Sequence, residues 1–155
     1  MSRIKTIITA LFTLVAGSSF AQQAIVDDPT NWAYEAKKIS ADEYELIFKL
    51  DLKDGWHIWS LKPGGDGYEI VPSFTFDKGV TPKSPLLEKG EPVTVMMEGM
   101  ENKVTYLSGK VEYVQKVRVK GGQKVTGEHE YQVCDEKMCL PPKTKKFEFD
   151  LTARN

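Results

Sequence analysis

The chemistry of this chain rests on two cysteines placed close together. Cys134 and Cys139 are the only thiols in 155 residues, and their spacing is C-x4-C. A bridge between them closes a short loop. The loop-closure entropy is about 2 kcal/mol, against about 4.7 for a 100-residue loop. So local a bridge contributes little to holding a fold together, and it can open and close without unfolding the domain. Spacing alone leaves two readings open: a structural hairpin clip and an exchanging redox pair.

The neighbouring residues sharpen the choice. His129, Tyr131 and Val133 share one strand face; Glu130, Gln132 and Cys134 share the other. Cys134 is therefore expected at a strand end, with Asp135, Glu136, Lys137 and Met138 as the tip. Cys139 opens the return segment, followed by Leu140-Pro141-Pro142. Proline cannot donate a ladder hydrogen bond, so the return is expected to start as an open edge. Asp135 and Glu136 beside Cys134 disfavour its thiolate, while Lys137 favours that of Cys139.

Other residues offer weaker chemistry. Met96, Met97, Met100 and Met138 with two thiolates are soft ligands suited to Cu(I). His129, Cys134 and Cys139 lack the paired C-x2-C spacing of a zinc site, and no metal or other cofactor is expected. His57, between Trp56 and Ile58, is expected to be a satisfied structural histidine. The Gly64-Gly65-Asp66-Gly67 loop lacks the Lys-Ser/Thr of a phosphate loop and is read as a flexible turn. Trp32, Trp56 and Trp59 are expected to pack in the core or on a sheet face.

The elements that must carry these residues read as strands. Tyr44, Leu46, Phe48, Leu50 and Leu52 alternate with polar positions over Glu43–Leu52, broken only by Ile47. Further strands are expected at Trp32–Ile39, Trp56–Ser60, Ser73–Phe76, Val93–Met97, Lys103–Leu107, Val111–Val119, Gly127–Val133 and Thr144–Leu151. Asp54-Gly55 signals a hairpin, and Gly121-Gly122 a turn. No segment shows a sustained helical stripe. Many short strands with frequent turns predict an all-β, immunoglobulin-like antiparallel β-sandwich, with a barrel as the alternative.

The N-terminus reads as a targeting segment. Arg3 and Lys5 precede an apolar run from Ile7 to Val15, and Ser19-Phe20-Ala21 places small residues at a cleavage site. The run is shorter than the roughly 20 residues needed to span a bilayer. Residues 1–21 are therefore expected to be a signal peptide and 22–155 a single exported domain with no membrane span, in a compartment where a disulfide persists. The 21 basic and 22 acidic residues are interleaved, which gives no nucleic-acid footprint. Three Trp, seven Phe and six Tyr supply apolar area for a core and argue against disorder.

One stretch resembles a known family. Tyr131-Gln132-Val133-Cys134-Asp135-Glu136-Lys137-Met138-Cys139-Leu140-Pro141-Pro142-Lys143-Thr144-Lys145 is similar to the active-site hairpin of the N-terminal periplasmic domain of the DsbD thiol:disulfide interchange proteins. Asp54-Gly55-Trp56-His57-Ile58-Trp59 resembles that domain's early Asp-Gly-aromatic strand. The resemblance implies an immunoglobulin-like fold and a redox pair, Cys134 and Cys139, of which Cys139 forms the mixed disulfides. It implies electrons received from a thioredoxin-like domain and passed to periplasmic disulfide isomerases and other oxidised proteins. The family covers its cysteines with a cap loop carrying an aromatic residue. The corresponding stretch, Met96-Met97-Glu98-Gly99-Met100, has none, so methionine is expected to stand in. DsbD proteins continue into a transmembrane region and a thioredoxin-like domain. This chain is expected to take its electrons from another polypeptide. The competing readings are a Cu(I)-binding module and an interaction domain with a local disulfide clip.

Overall fold

The structure is a computed structural model that describes residues 27–120 and 124–152. The expected signal peptide and the Gly121-Gly122 turn lie outside the described residues. Among the described residues every regular element is a strand: β1 (Thr30–Lys38), β2 (Glu43–Leu52), β3 (His57–Gly64), β4 (Ser73–Phe76), β5 (Val80–Pro82), β6 (Leu87–Lys89), β7 (Pro92–Val95), β8 (Val104–Ser108), β9 (Lys110–Val119), β10 (Lys124–Tyr131), β11 (Val133–Cys134) and β12 (Lys143–Asp150).

The strands pair antiparallel in three sheets. In the first, β2 lies between β1 and β9, and the far edge of β9 carries β5 and β6 in turn. In the second, β10 lies between β12 and β4; in the third, β3 lies between β11 and β8, and β8 pairs with β7. The alternation in β2 explains the layering. Leu46, Phe48, Leu50 and Leu52 are all buried, and Phe48 meets the second sheet through Phe74, Phe147 and Phe149 at centroid distances of 4.5, 4.9 and 5.0 Å. These tilted and edge-on contacts suit the ring quadrupoles. Ile58, Leu107 and Val133 bring the third sheet into the same core. The result is the expected all-β, antiparallel, sandwich-like fold.

Three local expectations are corrected. The Asp54-Gly55 turn closes with Trp56 N–H donating to Lys53 O at 3.1 Å, but β2 and β3 belong to different sheets. It links sheets and is not a hairpin. The strand expected over Gly127–Val133 is two strands, β10 and β11, interrupted at Gln132 where the chain changes sheets. β3 continues through Lys62, Pro63 and Gly64, with its register against β8 shifting between Trp59 and Gly64. The short β5 and β6 were not foreseen, since three residues are too few to show a period.

Candidate functional site

The hairpin that holds the cysteines is built by its own backbone. Asp135 Oδ1 accepts the N–H groups of Lys137 and Met138, both at 2.7 Å, and Asp135 N–H donates to Met138 O at 2.9 Å. This is the local side-chain turn that aspartate favours. The two backbone donors hold the Asp135 carboxyl below the usual carboxylate range. The tight tip puts Cys134 and Cys139 opposite each other in an isolated antiparallel bridge, with Cα atoms 3.9 Å apart, and the two sulfurs form a disulfide. Beyond the disulfide the return segment is anchored. Leu140 is buried, and the Gln132 side-chain amide donates to its carbonyl at 3.1 Å. The expected open edge therefore begins only at Pro141 and Pro142, which are exposed.

The two sulfurs occupy different surroundings. Cys134 is 2% exposed and packs in a small cluster with Trp59 and Val104, against which Val95, Met97, Met100 and Tyr106 also rest. Cys139 is exposed at the start of the return segment.

Both cysteines line an open cleft of about 480 Å³. Its walls are the hairpin tip, His57 and Trp59 from β3, Tyr68 and Glu69 from the following loop, and Met97, Glu98 and Met100 from the segment after β7. That last segment leaves the strand at Val95 and turns over, with Met100 N–H donating to Met97 O at 3.2 Å and Gly99 at φ +82°. A positive φ is where glycine is favoured over other residues. Of the sequence candidates, Met97 and Met100 stand over the cleft, whereas Met96 is 55% exposed and is not among its walls. Asp135, Lys137 and Met138 line the cleft from the tip, and Glu136 lines a neighbouring hollow with His57 and Glu98.

Several contributors had weak sequence signals. Tyr68, 86% exposed, brings an aromatic ring to the cleft from the glycine-rich loop, not from the methionine segment. That loop is not a free turn. Asp66 accepts the backbone N–H groups of Glu101 and Asn102, each at 2.9 Å, and the Asn102 side-chain amide at 3.0 Å. It thereby ties down the C-terminal foot of the methionine segment, and the Glu101 N–H leads in holding its carboxyl below the ordinary range. His57 is buried as expected but is not satisfied: its Nε2 has no hydrogen-bond partner. Burial lowers its pKa from the ordinary value, partly offset by the Asp135 carboxylate.

His129 lies elsewhere. It sits in the core between Trp32 and Phe74, with Nε2 3.0 Å from the Tyr34 hydroxyl, and it does not line the cleft. Among the described residues no group of three or more His, Cys, Asp and Glu side chains is gathered as for a metal ion. Nor is any helix among the described residues long and apolar enough to cross a membrane.

The chain is similar to known proteins. The N-terminal periplasmic domain of ScsB from Proteus mirabilis superposes with a TM-score of 0.64 at 16% identity, covering 81% of this chain and 47% of that one. The chain thus spans under half of that structure. The N-terminal domain of DsbD from Neisseria meningitidis, in its reduced form, matches at 16% identity with a TM-score of 0.42, covering 77% of this chain and 84% of that one. No curated protein matches the chain. The model of the family described as thiol:disulfide interchange protein DsbD, N-terminal, matches residues 22–151. The chain belongs to the DsbD N-terminal-domain family.

Proposed function

We propose that this protein is a periplasmic thiol:disulfide interchange module, exported by cleavage of residues 1–21, which relays electron pairs through Cys134 and Cys139. The observation that carries this reading is the asymmetry of the pair: one cysteine exposed at a hairpin tip, the other buried behind it. A thiolate of a thioredoxin-like donor attacks Cys139 Sγ. The Cys134–Cys139 bond breaks and Cys134 leaves with the electron pair. The donor's second thiolate then displaces Cys139, so the donor is oxidised and both cysteines are reduced. In the second half, the Cys139 thiolate attacks the disulfide of an oxidised periplasmic protein, such as a disulfide isomerase. Cys134 then closes on Cys139 and releases the acceptor's thiol.

Met97, Met100 and Tyr68 are read as a cover that shields the pair from unsuitable oxidants and reductants and moves aside for a partner. Trapping tests the assignment. Cys134→Ser is expected to accumulate a mixed disulfide with a thioredoxin-like protein, and Cys139→Ser is not. Trapping through Cys134 alone, or equally through both, would reverse it.

One observation favours a second reading. The thioethers of Met97, Met100 and Met138 share the cleft with both cysteines, a soft ligand set once the disulfide is reduced. Titration of the reduced chain with Cu(I) separates the two. One tightly held equivalent, lost in a Met97→Ala, Met100→Ala, Met138→Ala variant, supports a copper module; retention in that variant assigns the metal to the thiols alone.

A further inference from the structure

Cys134 has a proton problem that Cys139 does not. Each time the pair is oxidised, Cys134 must lose a proton before its sulfur can attack, because the thiolate is the nucleophile. Cys139 is exposed and can exchange protons with water. Cys134 is 2% exposed, walled by Trp59 and Val104. A bare thiolate forming there is disfavoured by burial. An internal acceptor is therefore needed.

The register of the third sheet supplies one. β11 pairs with β3 so that Cys134 lies directly opposite His57. Residues opposite each other in an antiparallel pair project to the same face, with Cβ atoms about 4.5–5.5 Å apart. Both side chains accordingly line the same cleft. His57 is 7% exposed, its ring is stacked on Tyr106 at 4.3 Å between centroids, and its Nε2 is buried without a partner. A buried unpaired ring nitrogen is costly and calls for an explanation.

The other charged or titratable groups around His57 are occupied or face solvent. The Asp135 carboxylate is engaged by two backbone N–H groups of the tip. Glu69 folds back onto the N–H groups of Asp66 and Gly67 in its own loop. Glu98, Glu136 and Lys137 are exposed, and Tyr106 presents its ring face to the imidazole.

We propose that His57 is the proton acceptor for Cys134 in the step that closes the disulfide, resting on the exchange reading above. Cys134 S–H gives its proton to His57 Nε2. The resulting thiolate attacks Cys139 Sγ in the mixed disulfide. The Cys134–Cys139 bond forms, the bond from Cys139 to the partner breaks, and the partner sulfur departs as thiolate. The imidazolium then returns its proton to that thiolate or to water. In the reverse direction the same imidazolium protonates the departing Cys134. The surroundings suit both states: burial keeps the ring neutral before the step, and the Asp135 carboxylate stabilises the charge once it forms.

The test uses 5,5′-dithiobis(2-nitrobenzoate) as oxidant and needs no protein partner. Attack by Cys139 on the reagent releases one coloured thiolate, and closure by Cys134 releases a second. In stopped flow at pH 7, His57→Phe, which keeps an aromatic ring against Tyr106, is expected to slow the second release on the order of 100-fold and to leave the first unchanged. The wild-type second release should be level through neutral pH and fall only in acid. In His57→Phe it should climb about tenfold per pH unit and keep climbing past the ordinary thiol pKa of about 8.5, because burial disfavours the Cys134 thiolate. An unchanged second release with a wild-type profile would overturn the role of His57. If the variant does not fold, the wild-type profile decides: a tenfold-per-unit climb from pH 6 to 8 excludes His57, and a level one supports it. Failure of the first release from Cys139 would instead sink the exchange reading, and the inference with it.

Discussion

Leu140 N–H donates to Val133 O at 2.9 Å, one step outside the disulfide on the same hairpin. Inside the disulfide, Asp135 N–H donates to Met138 O at the same distance. The covalent bridge is thus bracketed by backbone bonds that do not depend on it, and the Leu140 side chain is seated in the core.

Reduction should therefore leave the fold in place. The bridge restrains a short loop worth about 2 kcal/mol, a minority of the 5–15 kcal/mol typical of a domain. The expected outcome is an unchanged far-UV circular dichroism spectrum at 25 °C and a melting temperature lower by roughly 5–10 °C. Loss of the β signal on adding reductant would make the bridge structural.

The cover should control access to the thiols. Met97 and Met100 rest on the cluster that contains Cys134. Truncating both to Ala removes flexible contacts at the mouth of the cleft, and 1 kcal/mol less closure free energy is about a fivefold rise in the open population. Cys134 in reduced Met97→Ala, Met100→Ala protein should react about fivefold faster with iodoacetamide, with a melting temperature close to wild type. An unchanged rate together with a marked drop in melting temperature would assign both methionines to packing alone.

Much of this arrangement is visible in the sequence, and the remainder is not for a physical reason. The alternation of Tyr44, Leu46, Phe48, Leu50 and Leu52 reports one face buried on another sheet, and a period of two is a local property. The cysteine hairpin is equally local: strand end, acidic tip and paired prolines all lie within one stretch. What separates Cys134 from Cys139 is not local. Trp59 and Val104 bury Cys134 from strands distant in the chain, and no spacing near the hairpin records them. The same holds for Tyr68, which reaches the cleft from a loop whose glycines suggested only flexibility. His57 could be read as buried, but its unpaired Nε2 emerges only from the pairing of β3 with β11.

Asp66 should act on the thiols from a distance. It does not line the cleft, yet it holds the backbone of Glu101 and Asn102 just after Met100. Asp66→Ala removes all three of these bonds and leaves the cleft side chains in place. In reduced protein carrying it, Cys134 should be alkylated faster than in wild type, by less than in the double methionine variant. An unchanged rate would show that the methionine segment is held by its contacts with Trp59 and Val104 alone.

The acid sensitivity of the fold should trace largely to His129. Burial, and then the charge of Lys145, lower its pKa from 6.5 to about 4. Between these values the unfolded chain binds a proton that the folded chain does not, so stability falls as pH falls. The contribution is complete above pH 6.5 and is lost progressively down to about pH 4, with an upper bound of about 3 kcal/mol. His57, the only other histidine, is also lowered and adds to the loss of stability below pH 6.5. Asp28 acts lower. Against the cost of its burial, Thr30, Lys145 and Lys143 pull its carboxyl below the usual range, so its contribution is lost only in stronger acid. In His129→Phe the ring contacts with Trp32 and Phe74 can persist while the titrating group is gone. Its urea midpoint should fall less between pH 7 and pH 5 than that of wild type, although its stability at pH 7 is lowered by losing the Tyr34 bond. Equal falls in both proteins would show that His129 does not set the acid limit and would shift that role to His57.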